Sequence, residues 1–272
     1  MRGFVFLLIL GSSLFLEAKT RPMELSVLTI ADGSLETFVT AVADVNRIQR
    51  VFSNIATQTG VRFKSTRLIG KKASQGRIRA WISSLHRSRS IAVVYYSGKS
   101  LFLPQKRDRL PSIALPKRSG STVAYSQTQL CKRLARAKVR LGIVMFDCYN
   151  HLNTKDRTIP YSDYIEPSQI SGERAVGFVP LFLETGGIIS ISSDRDPNRA
   201  MGCFAQWPGP SGGACTTGFL TALYRCVPQP RTTWQTVASA TQSVYSEAGL
   251  PQRAHFTFKC RQLAHHTPRP KI

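Results

Sequence analysis

Four short stretches of the chain are apolar with few interruptions: residues 25–31, 91–96, 141–146 and 187–192. Runs this short, rich in Val and Ile, suit strands covered on both faces, as in the middle of a parallel sheet. Helical spacing takes over between them. Residues 34–58 carry Leu35, Phe38, Val39, Val42, Val45, Ile48, Val51, Phe52 and Ile55 on one stripe, with Ser34 as N-cap and Gly60 closing the segment. A second strand, 61–69, is interrupted by charges, and 74–85 is a helix carrying Ile78, Trp81, Ile82 and Leu85. Further helices are predicted at 126–138, 216–224 and 232–248, and a last alternating strand at 255–259. Pro104, Pro111 and Pro116 make 103–121 a loop, and 153–173 reads as a second, polar loop. Strands alternating with helices predict an α/β fold of three layers: a mostly parallel central sheet of about six strands with helices on both faces. The chain shows no internal repeat, and a single domain over 24–262 is expected, followed by a disordered tail at 263–272.

Charge and cysteine usage place this domain in a compartment. The 272 residues include 37 Lys or Arg against 15 Asp or Glu, a formal net charge of +22. Between Val45 and Phe146 stand 22 Lys or Arg and one acid, Asp108. Such a field attracts an anionic surface or polymer. No zinc-finger spacing or aromatic RNA-binding signature accompanies it, so no specific nucleic-acid partner is implied. Arg2, an apolar stretch from Phe4 to Leu16 and Glu17-Ala18 form the pattern of a secretory signal over 1–18, with an uncleaved anchor as the alternative. The expected location is outside the cytosol, periplasmic or secreted. Six cysteines, Cys131, Cys148, Cys203, Cys215, Cys226 and Cys260, fit an oxidising compartment. The last four are the better disulfide candidates, buried free thiols being the alternative. Their spacing matches no tight metal pattern, and neither a metal nor a cofactor is expected.

In a parallel sheet, ligands bind beyond the carboxyl ends of the strands. The two central strands end in Tyr95-Tyr96-Ser97-Gly98-Lys99-Ser100 and Asp147-Cys148-Tyr149-Asn150. Further on come Ile189-Ser190-Ile191-Ser192-Ser193 and Gly212-Gly213-Ala214-Cys215-Thr216. In order and spacing these motifs resemble the caspase and metacaspase-like cysteine peptidases of the caspase-haemoglobinase clan. There the third strand ends in Tyr-Tyr-Ser-Gly-His-Gly, with the His as base, and the fourth in Asp-x-Cys, with the Cys as nucleophile. The resemblance spans about residues 25–224 and implies the three-layer caspase-like fold.

The same comparison places Lys99 at the His position and Tyr149 at the Cys position, with Cys148 one residue early. Tyr and Lys, with ordinary pKa values of about 10 and 10.4, are poor replacements for a thiolate and an imidazole. The resemblance therefore implies a degenerate member, a non-catalytic binding protein or pseudopeptidase that takes a peptide or protein ligand. The alternative is an atypical cysteine endopeptidase using Cys148, with Lys99 as base and a preference for Lys or Arg substrates. A one-residue shift at a strand end turns a side chain to the other face, which sets Cys148 against that reading. The resemblance also implies substrate-binding roles for Asp147, Ser193 and Asp194, with an ion pair between Lys99 and Asp147 as the competing fate of that acid. His86 precedes the third strand, at the wrong end of the sheet, and His151, His255, His265 and His266 match no family position. A hydrolase built on Ser97 or Ser193 is a third reading, without the Gly-x-Ser-x-Gly elbow such enzymes carry.

Overall fold

The structure, a computed structural model, describes residues 22–33, 38–101, 110–116, 122–148, 151–153, 169–193, 201–203, 212–250 and 253–263. A six-stranded sheet runs through it. In chain order its strands are β1 (Glu24–Ala31), β2 (Arg62–Ile69), β3 (Ser90–Gly98), β7 (Leu141–Cys148), β9 (Thr185–Ser192) and β11 (His255–Gln262). Three short strands, β4 (Ser100–Leu101), β5 (Ser112–Pro116) and β6 (Thr122–Ser126), form a separate antiparallel sheet, and β8 (His151–Asn153) pairs with β10 (Met201–Cys203). The main sheet has the order β2-β1-β3-β7-β9-β11. Every pair is parallel except β9 with β11.

Helices cover both faces, as the near-continuous apolar strands require. Leu25, Val27, Ile91, Val93, Tyr95, Ile143 and Met145 point to one side, where α1 (Phe38–Thr59), α4 (Ala214–Cys226) and α5 (Trp234–Glu247) pack. The alternate positions Leu28, Ile30, Val94, Tyr96, Val144 and Phe146 point to the other, against α2 (Gln75–Ser83) and α3 (Gln127–Arg136). Both α2 and α3 start on serine caps. Ser74 accepts from the Arg77 amide, and Ser126 and Gln129 form a reciprocal capping box.

Three expectations are corrected. Residues 112–116, inside the stretch read as loop because of its prolines, pair as a strand with 122–126, where no strand was expected: Ile113 and Leu115 turn inward on alternate positions while Pro111 and Pro116 fall at the strand ends, where a missing N–H is tolerated. Val39, placed on the apolar stripe of α1, is 66% exposed. Cys215, Cys226 and Cys260, named as disulfide candidates with free thiols as the alternative, are free thiols, as are Cys131 and Cys148. The side chain of Cys203 lies outside the described residues, as do the signal segment, Asp108, the tail and the His265-His266 pair. Among the described residues no helix is long and apolar enough to cross a membrane.

Candidate functional site

The sheet order reverses between β1 and β3: β1 leads through α1 to β2 on one side, and β3 leads through α3 to β7 on the other. α1 and α3 lie on opposite faces, so a crevice opens where the two connections diverge. The register brings Ala31, Ser97 and Asp147 side by side at this edge, with Gly98 opposite Cys148. Alternation then separates neighbours. Tyr95, Ser97 and Asp147 face the α1/α4 layer, and Cys148 faces the α2/α3 layer.

On the first of these faces lies a fully buried polar network. Asp147 Oδ2 accepts from the Thr216 amide (2.8 Å) and hydroxyl (2.6 Å), and the Tyr95 hydroxyl meets the same Thr216 oxygen at 2.6 Å. Asp44, from the buried face of α1, accepts from Ser97 (3.0 Å) and the Gly213 amide (2.9 Å) and pairs with Arg47 at 2.8 Å. Arg47 reaches on to Thr217. Gly213 is the N-cap of α4 and has no side chain to satisfy the first amides of that helix, so the two aspartates do it from across the molecule. A helix N-terminus favours negative charge, which explains why acids from α1 and β7 gather there.

Two buried carboxyls that share this network with one guanidinium both titrate above their ordinary range. Burial, then the neighbouring Asp44, pushes Asp147 up from 3.8 to about 7, against the hydrogen bonds of Thr216 and the charge of Arg47. Burial also raises Asp44, opposed by Arg47, Gly213 and Ser97. Asp147 Oδ1 makes no hydrogen bond. Burial and both aspartates together hold the Tyr95 phenol protonated.

The residues singled out in the sequence divide as follows. Cys148 is 0% exposed and belongs to the same buried cluster as Tyr96, Ile113, Tyr125 and Phe146 in the α2/α3 layer. Its thiol is pushed well up by burial and then by Asp147. Ser193, also buried, clamps the Cys148 peptide: its hydroxyl accepts from the Cys148 amide at 3.1 Å and donates to the Cys148 carbonyl at 2.8 Å. Lys99 is exposed at the crevice rim. Its amide donates to Asp32 (3.3 Å) and its carbonyl accepts from the Tyr96 hydroxyl (2.5 Å). The Lys99–Asp147 ion pair, the competing fate of that acid, is not formed: Asp147 is buried and turned inward to Thr216, while Lys99 is exposed. Tyr149 and Asp194 lie outside the described residues, as does the side chain of His151.

His86 sits before β3, at the opposite edge. His255 is brought to the crevice edge by the antiparallel β11, opposite Ser192, but β9 separates it from β7. Two strand spacings put it about 10 Å from the β7 backbone, beyond hydrogen-bond reach of a thiol there. A side-chain-sized cavity of about 280 Å3 opens beside the ends of β1 and β2, lined by Asp32, Gly33, Lys71, Tyr96 and Leu115 among others.

The sequence reading missed Asp44 and Arg47. The signal was present: both fall on the stripe that also carries Ala41, Val45 and Ile48, where charged residues are out of place unless paired.

No family model matches the chain, and no curated protein does. Among solved structures it is similar to the Drosophila initiator caspase Dronc, at 10% identity over 86% of this chain and 78% of that one, with a TM-score of 0.43. It is also similar to pro-sf-caspase-1, at 12% identity over 90% of this chain and 93% of that one, with a TM-score of 0.48. At these identities and TM-scores neither likeness speaks to activity in this chain.

Proposed function

We propose that the chain is an exported pseudopeptidase: a caspase-like scaffold that binds a peptide or protein segment at its crevice and does not cleave it. The observation that carries this reading is the burial of Cys148. A cysteine nucleophile works as a thiolate within reach of a base. Here the thiol is sealed in an apolar layer and held protonated, and the imidazoles of His86 and His255 both stand away from it, one at the opposite edge of the sheet and one beyond β9. The Asp147 carboxyl is covered and spent on the start of α4. Ligand recognition therefore falls to the open cavity beside β1 and β2, where Asp32 and Lys71 supply the charges. Export rests on the pattern of residues 1–18.

The test is turnover. Purified protein incubated with fluorogenic peptides carrying Lys or Arg at the scissile position is expected to release no fluorophore. Iodoacetamide should label Cys148 only after denaturant is added. Robust cleavage abolished by Cys148→Ala would overturn the reading and favour the atypical endopeptidase.

A further inference from the structure

The edge of the sheet opposite the crevice carries a second concave site. Pro22 and Glu24 at the start of β1, Arg62 at the start of β2, and His86, Arg87 and Arg89 in the turn before β3 enclose a cavity of about 490 Å3. The register explains the convergence, since Arg62 and Ser90 both lie opposite Glu24, on either side of it. The turn is held firmly. The Ser90 amide donates to the His86 carbonyl (3.1 Å), the Glu24 amide to the Arg89 carbonyl (3.1 Å) and the Ser88 amide to the Lys138 carbonyl (2.8 Å). Ser88 and Lys138 both have φ of 55°, and among the described residues they are the non-glycine positions in the left-handed region. Two strained turns are thus locked together beneath the arginines.

The charge at this site is unbalanced. Three arginines line it with one acid, Glu24, which is 6% exposed and accepts a 2.5 Å hydrogen bond from Ser26. Neither Arg62 nor Arg87 forms an ion pair among the described residues, where the ion pairs are Asp44–Arg47 and Arg225–Glu247. Arg140, next along this edge, is not available to the cavity: its guanidinium donates to the Leu183 carbonyl. Arg62 and Arg87 are therefore exposed on one concavity, beside a firmly held turn, with Glu24 the one carboxylate among the residues that line it.

We propose that this cavity binds a phosphate-bearing anion. The planar guanidinium fork matches phosphate oxygens two at a time, and several forks around one cavity suit a ligand with more than one phosphate charge. The imidazole of His86 adds a further donor. The site is at the far end of the strands from the crevice and is independent of the function proposed for it.

Two probes separate a soluble ligand from a membrane headgroup: inorganic pyrophosphate, followed by calorimetry, and vesicles of phosphatidylglycerol mixed with phosphatidylcholine, followed by sedimentation, both at physiological salt. The triple variant Arg62→Gln, Arg87→Gln, Arg89→Gln is compared with Lys132→Gln, Arg136→Gln, Arg174→Gln, which removes the same charge from exposed positions elsewhere. Loss of pyrophosphate affinity by tenfold or more in the first variant, with less than threefold in the second, supports a soluble phosphate ligand. The same split with vesicles alone supports a headgroup. Glu24→Gln is expected to tighten whichever probe binds. Equal losses in the two triple variants, or no binding of either probe by the unaltered protein, would overturn the proposal.

Discussion

Gly213 stands where a helix ordinarily supplies its own cap from Ser, Thr, Asp or Asn. Its φ of −67° would suit any residue, so the reason for glycine is space. A Cβ built there lies 2.0 Å from Asp147 Oδ2, and Asp147 is a short, buried side chain fixed by two hydrogen bonds. The glycine thus lets a carboxylate from β7 approach the amides of α4. Gly213→Ala should destabilise the protein by about 1–3 kcal/mol, the range for overpacking a tight core. A urea midpoint comparison measures it. In an Asp147→Ala background the carboxylate is gone, and the glycine substitution should do much less harm. A cycle with no coupling between the two sites would show that the contact is not what demands glycine.

Among the elements, α4 packs against α5, and Gly218 is where the two approach closely. Its Cβ would meet the Tyr245 ring at 2.2 Å. Alanine in mid-helix gains up to about 1 kcal/mol over glycine from propensity. Here the clash should outweigh that gain, so Gly218→Ala is expected to lower the melting temperature, and Tyr245→Leu to restore part of it. A rise in melting temperature would mean that α5 can simply shift. The strands that meet these helices were legible in the sequence because burial on both faces writes continuous apolar runs, as in 91–96 and 141–146. β5 was hidden by prolines that mark strand ends as readily as loops, and β6, its partner, is a five-residue strand where none was expected. The crevice was legible from the same strand ends and their motifs. Its floor was not, because Asp44 and Gly213 are 169 residues apart and only the fold brings them together. A helix read by its apolar positions alone also passes over a charged pair like Asp44–Arg47 inside the stripe.

At the scale of the whole molecule, the buried acids set how stability responds to pH. Asp147 is pushed up to about 7 in the folded chain, while in the unfolded chain it titrates near its ordinary value of about 4. Below about pH 4 both states hold the proton, and the carboxyl adds no penalty. Between there and pH 7 the unfolded chain gives up its proton while the folded chain keeps it, so stability falls as pH rises. Above 7 the folded state carries the charge, and the loss is complete, on the order of a few kcal/mol for a group buried this fully. Asp44, raised in the same direction, adds to the slope, and Arg47 limits it. The Cys148 and Cys215 thiols, pushed well up by burial, extend the decline into the alkaline range, where the unfolded thiols ionise first. The protein should therefore resist urea better at pH 5 than at pH 8. Asp147→Asn keeps an acceptor for Thr216 and removes the titrating group, so it should lose less on the same change of pH and gain relative to the unaltered chain at pH 8. Urea denaturation of both proteins at the two pH values measures this. Parallel losses in the two would show that the slope arises elsewhere than at Asp147.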